Sequence, residues 1–122
     1  MPEADSLREV GRFDSNCPGA LFLAIGGLHG NEPAGIEAAG RVLTRLEKGN
    51  VKLRGRFVAL RGNRPALAQN QRFIERDLNR VWKASDLLGL EQRKHHQDGP
   101  DEGELRDLLQ TFSRLFVESC GG

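Results

Sequence analysis

Residues 21–25, Leu-Phe-Leu-Ala-Ile, form an unbroken apolar run closed by Gly26-Gly27, and a second short run, Phe57-Val58-Ala59-Leu60, is closed by Gly62. Between them Ile36, Ala39, Leu43 and Leu46 recur at helical spacing, and Gly49-Asn50 supplies a stop. Asn31 can cap this helix, with Pro33 in its first turn where a missing N–H does no harm. Strand, helix, strand in that order is a βαβ unit, so its strands are expected to be parallel and joined by a right-handed crossover. The lack of alternation in 21–25 fits a strand buried on both faces. The fold class is therefore α/β, a small parallel or mixed sheet flanked by helices, in a single domain over 1–122.

Further elements are weaker. Residues 9–13 read as an edge strand followed by a turn over 14–19. Residues 101–118 carry Leu105, Leu108, Leu109, Phe112, Leu115 and Phe116 as one helical stripe. The intervening 63–100 is polar and turn-rich with few core residues, and 97–103 has the composition of a loop within the domain. With no run of about 18 apolar residues and no apolar stretch after a basic start, the chain is expected to be cytoplasmic, without a secretory signal and with no membrane partner. Its two cysteines, Cys17 and Cys120, are too few for a disulfide framework.

The net charge of +1 gives no overall field for nucleic acid, but residues 52–83 hold nine basic residues against two acidic ones. Most are arginines, whose planar fork suits carboxylate and phosphate. An anionic ligand held by this stretch is one reading and a solvated surface the other. Only Phe57, Phe73 and Trp82 are aromatic there, without a stacking pattern, so nucleic acid is not expected as a partner.

In an open α/β sheet a ligand site lies beyond the carboxyl ends of the parallel strands. Two loops leave there: Gly26-Gly27-Leu28-His29-Gly30-Asn31-Glu32-Pro33 and Asn63-Arg64-Pro65. His29 and Glu32, three positions apart on a strand-to-helix turn, can close on one cation. His plus Glu with a further nitrogen ligand is the donor set of hydrolytic zinc sites that keep a position open. An ordinary turn with His29 packed inward is the alternative. A second constellation, Arg72-Phe73-Ile74-Glu75-Arg76-Asp77-Leu78-Asn79-Arg80, either stacks Arg72, Arg76 and Arg80 on one solvated helix face or points Arg72, Asn79 and Arg80 at a substrate carboxylate.

Taken together and in order, the string Gly-Gly-Leu-His-Gly-Asn-Glu-Pro-Ala-Gly at 26–35, Asn63-Arg64-Pro65 and residues 72–80 resemble the succinylglutamate desuccinylase/aspartoacylase family of zinc hydrolases, related in fold to the zinc carboxypeptidases. The likeness runs over 21–82 and weakly to 118, and covers the N-terminal part of that fold only. It implies zinc held by His29 and Glu32, and a small anionic substrate such as an N-acyl amino acid held by Arg72, Asn79 and Arg80. The implied reaction is removal of an acyl group from an acidic amino acid or similar small amide or ester.

The family's third zinc ligand, a histidine on an Asp-Leu-His strand after the long helix, has no counterpart here, and neither does its general-base glutamate. The catalytic residue is therefore unassigned. His95 and His96 or Cys120 are substitute ligands to consider. The chain is then expected to be an N-terminal fragment of an enzyme, a metabolite-binding module that keeps the arginines, or a half-site completed by a partner, with self-association through an exposed sheet edge.

Overall fold

The computed structural model describes residues 7–49, 52–92 and 98–121, with 120 and 121 described by their backbone alone. Three strands form one mixed sheet: β1 (Glu9–Asp14), β2 (Leu21–Gly26) and β3 (Arg56–Arg61), in the order β1-β3-β2. β2 runs parallel to β3, with Leu21 opposite Arg56 and Gly26 opposite Arg61, as the βαβ reading requires. β1 pairs antiparallel on the other side of β3, with Asp14 opposite Arg56 and an irregularity between Glu9 and Gly11.

The central strand alternates between two cores. Phe57 and Ala59 pack on Ala39, Leu43 and Leu46 of α1 (Ala34–Glu47), while Val58 and Leu60 pack on Leu108 and Leu115 of the long C-terminal helix. All four central residues of β3 are buried, so the sheet is sandwiched between the two helices. That helix extends over Pro100–Gly121, three residues beyond its expected end, and none of the described helices is long and apolar enough to cross a membrane.

Several expectations need correction. β2 is not buried on both faces: it is an edge strand among the described residues, and Phe22 is 58% exposed although its ring stacks on Phe57 at 5.4 Å. Phe116 likewise leaves the helical stripe for solvent, at 63% exposure. α1 is capped by Pro33 with no side-chain bond, while Asn31 sits in a turn closed by the Glu32 N–H on the His29 carbonyl at 3.1 Å. Asn31 precedes the helix by too many residues to reach its first free N–H groups.

The polar stretch 63–100 is also better packed than its composition suggests. It forms α2 (Arg64–Gln69), a 3₁₀ turn (Leu78–Arg80) and α3 (Ala84–Gln92), followed by the long C-terminal helix, α4 (Pro100–Gly121). Leu78 of the 3₁₀ turn, Val81 just after it and Leu90 of α3 bury against Leu105 of α4 and make a third core cluster. Each short element contributes one or two anchors, so no periodic pattern reveals them. Within the expected loop over 97–103, Pro100 already begins α4, where its missing N–H costs nothing.

A buried ionic network fastens the start of α4. Glu104 accepts both fork nitrogens of Arg64 at 2.8 Å and lies 3.1 Å from Arg8. Arg8 also donates to Asp107 at 2.8 Å and to the carbonyls of Arg61 and Gly62, joining the N-terminal segment, the end of β3 and α4.

Candidate metal centre

The two loops that leave β2 and β3 are joined directly. The Gly62 N–H donates to the Gly26 carbonyl and the Asn63 N–H to the Gly27 carbonyl, both at 2.8 Å. Gly30 then donates to the Arg72 carbonyl at 3.1 Å, and a Cβ there would lie 2.2 Å from the Ala66 carbonyl carbon. Only glycine allows that approach, and it brings the first loop against α2 and residues 71–72.

His29 is held on both ring nitrogens. Its Nδ1 lies 2.7 Å from Glu32 Oε2 and its Nε2 lies 2.8 Å from Asp77 Oδ1, with the imidazole 11% exposed. Asp77 accepts the Asn79 N–H at 2.8 Å, and the Arg72 Nε–H reaches its other oxygen at 3.4 Å. Burial pushes the Asp77 carboxyl up, but the Asn79 N–H, the hydrogen bond to His29 and the Arg72 guanidinium hold it below the usual aspartate range. An ionised Asp77 only accepts, so it keeps a proton on Nε2; in a neutral ring the Nδ1 lone pair then faces Glu32.

That arrangement suits a cation. With the neutral ring's one proton on Nε2, the short Nδ1 to Glu32 contact sets two lone pairs against each other unless a proton or a metal lies between them. Two ligands of one tetrahedral zinc stand about 3.3 Å apart, so the pair would open by roughly 0.6 Å. Glu32 is exposed and outside the helix, which leaves room for that movement. The residues present therefore fit half of a zinc donor set. Among the described residues no group of three or more His, Cys, Asp or Glu able to hold a metal occurs. His95 and His96 lie outside the described residues, as does the Cys120 side chain, and Cys17 is a free, exposed thiol.

Residues 72–77 are not helical, so Arg72, Arg76 and Arg80 do not share a helix face. Arg72 reaches the His29 cluster through Asp77. Arg76 turns away to Glu102 at 2.8 Å and Asp86 at 2.9 Å. Asn79 and Arg80 stand on the 3₁₀ turn capped by Asp77, and Arg80 donates to the Asn79 carbonyl at 3.2 Å without meeting a carboxylate among the described residues. No hydrogen bond joins Arg80 to His29 or Glu32.

The positive excess of the middle stretch is partly neutralised internally. Arg56 pairs with Asp14 and Glu118, Arg64 with Glu104, and Arg61 donates to the carbonyls of Leu7 and Glu9. In the second loop, Arg64 thus faces α4 while Asn63 is buried as the cap of α2. A cavity of about 480 Å³ opens at the opposite end of the parallel strands, lined by Asp14, Cys17, Arg56 and Ser119.

Two aspartates escape a reading of the sequence. Asp77 lies 48 residues from the histidine it orients, and only its place inside the 72–80 string hinted at a role. Asp101 is fully buried at the start of α4 and accepts four N–H groups: Asn63 Nδ2 at 2.8 Å and the backbone of Ile74, Glu75 and Arg76 at 3.1, 2.7 and 2.7 Å. Burial pushes this carboxyl up, but the Asn63 amide and the three backbone donors outweigh it and hold it below the usual range.

Because the folded protein binds this proton less readily than the unfolded chain, whose aspartates titrate near 3.9, the contribution is present above about pH 4. It is lost as pH falls through the lower folded value. Urea midpoints measured from about pH 5 downward and on below about pH 4 should therefore fall more steeply for the wild type than for Asp101→Ser. Parallel acid limbs would contradict this.

The family described as succinylglutamate desuccinylase/aspartoacylase catalytic domain matches residues 18–119. The chain is 33% identical over 113 residues to the succinylglutamate desuccinylase of Pseudomonas putida (strain GB-1), covering 93% of this chain and 31% of that protein. It is 41% identical over 116 residues to the succinylglutamate desuccinylase of Pseudomonas fluorescens (strain Pf0-1), covering 92% of this chain and 32% of the relative. It thus spans about a third of the length of these relatives. No solved structure matches significantly. A match across most of the chain, with two such relatives, settles its kinship: the chain belongs to the succinylglutamate desuccinylase/aspartoacylase family.

Proposed function

We propose that this chain forms part of a zinc-dependent deacylase that removes the acyl group from an acidic N-acyl amino acid or a similar small amide or ester. The names of its Pseudomonas relatives support a small acylated amino acid as the substrate class. The observation that carries the reading is the imidazole of His29 fixed by Asp77 on one nitrogen and facing Glu32 with the other.

In this reading His29 Nδ1 and Glu32 hold the metal, and Asp77 keeps the ring in the required tautomer. Bound zinc polarises a carbonyl and lowers the pKa of water. Arg80 and the outer nitrogens of Arg72 take the substrate's carboxylates by paired charge-assisted hydrogen bonds, and the Asn79 amide adds a further contact. Holding the carboxylates in this way would position the scissile amide toward His29 and Glu32.

A second reading has its own support. With no three-ligand group among the described residues, the chain suits an anion-binding module or a half-site as well. Calorimetry with an N-acyl acidic amino acid separates the two, because the module binds it equally after chelator treatment and the metal-dependent site does not. In either case Arg80→Ala should weaken binding of this ligand by roughly 10- to 100-fold, the loss of a bidentate charged pair, without changing zinc uptake. Wild-type affinity in that variant would remove Arg80 from the site.

A further inference from the structure

We infer that Asp101 is a positioning residue for this site, acting from α4 through residues 74–76 to keep Asp77 on His29. The inference rests on the reading of His29 as a metal ligand, but its test does not need the metal.

The geometry is that of an internal anion in a cradle. Three successive backbone N–H groups, of Ile74, Glu75 and Arg76, converge on one carboxylate, an arrangement that ordinarily binds anions. The fourth donor is Asn63 Nδ2, and Asn63 is itself fully buried. Asn63 also caps α2 and donates its N–H to the Gly27 carbonyl, two residues before His29. One carboxylate therefore ties together the loop after β2, the loop after β3 and the irregular segment that ends in Asp77.

No other feature of residues 73–76 fixes that segment so firmly. It has no regular secondary structure, Phe73 and Glu75 are exposed, and Ile74 is half-buried. The Arg76 side chain adds ion pairs at the surface, at 45% exposure. Immediately downstream, Asp77 must hold an oxygen within 2.8 Å of His29 Nε2 while accepting the Asn79 N–H. Releasing the three N–H groups frees Asp77 to leave the ring, and His29 then loses the partner that selects its tautomer.

The His29 Hε2 proton reports this directly, because it is slow enough in exchange to be seen by NMR only while it is held in the Asp77 hydrogen bond. In the metal-free wild type the signal should be present, and it should disappear in Asp77→Ala, which assigns it. It should also disappear in Asp101→Asn, whose amide sets a donor against donors. Asp101→Ser, which leaves space for a water among the same groups, is the milder second variant and is read in the same way. Leu115→Ala, which loosens the core without touching this hub, should keep the signal.

An unshifted Hε2 resonance in folded Asp101→Asn or Asp101→Ser would overturn the proposal. So would its loss in Leu115→Ala, since the effect would then be general loosening. Rapid exchange of the Glu75 and Arg76 amides in the wild type would overturn it even if both variants failed to fold. Zinc titration of the same wild-type sample tests the metal reading separately: failure to bind zinc with the Hε2 pattern intact would sink that reading and leave the positioning role standing.

Discussion

Glu104→Ala is expected to lower the free energy of unfolding by about 3–5 kcal/mol, measured by urea titration, because it removes the buried carboxylate on which two guanidiniums converge. Glu104 and Arg8 have side chains only 9% and 8% exposed, and Arg64 adds two further bonds to the same carboxylate. Removing the acid leaves Arg8 with Asp107 alone among its carboxylates. A domain's whole stability is roughly 5–15 kcal/mol, so the variant should be near unfolding at ambient temperature. Glu37→Ala is the control: its partner Arg41 is 78% exposed, and the change should fall within about 0.5 kcal/mol. Equal effects of the two variants would show that the network at α4 is not the fastening described here.

His29→Ala should reduce zinc affinity by at least about 100-fold, and Asp77→Asn by roughly 10- to 100-fold. The first loses a ligand outright and the second the group that orients it. His29 is bound into the loop by its backbone as well as its ring, so the alanine variant is expected to keep the joined loops at Gly26, Gly27 and Gly62. Dialysis against a chelator-buffered zinc series checks both values. Zinc binding that survives unchanged in His29→Ala would assign the metal elsewhere in the chain.

The elements that could be read from sequence are those with dense local patterns. The apolar run at 21–25, the helical spacing from Ile36 to Leu46 and the stripe on α4 each announce an element, and the parallel pairing of β2 with β3 follows from their order. What pattern does not convey is which neighbours an apolar residue finds. Phe22 and Phe116 fit their patterns but meet solvent, and Leu78, Val81 and Leu90 fit none but are buried.

The candidate site divides in the same way. His29 and Glu32 share one loop, so their spacing already suggests that they meet, as they do. Asp77 and Asp101 act across 48 and 38 residues of chain, on His29 and Asn63 respectively. Their parts in the site depend on where α4 and the 3₁₀ turn pack. The cluster of arginines reads as one basic feature in sequence, but Arg56, Arg64 and Arg76 are taken up by internal pairing with Asp14, Asp86, Glu102, Glu104 and Glu118, and Arg72 pairs with Asp77.

The central claim is that His29 and Glu32 grip one zinc ion together. X-ray absorption at the zinc edge tests it most directly, on the wild type and on His29→Ala and Glu32→Ala loaded at one equivalent. The account predicts a nearest shell of nitrogen and oxygen at about 2.0–2.1 Å with the imidazole signature, the signature lost in His29→Ala and an oxygen lost in Glu32→Ala. A sulfur shell near 2.3 Å, or spectra identical in all three proteins, would contradict it.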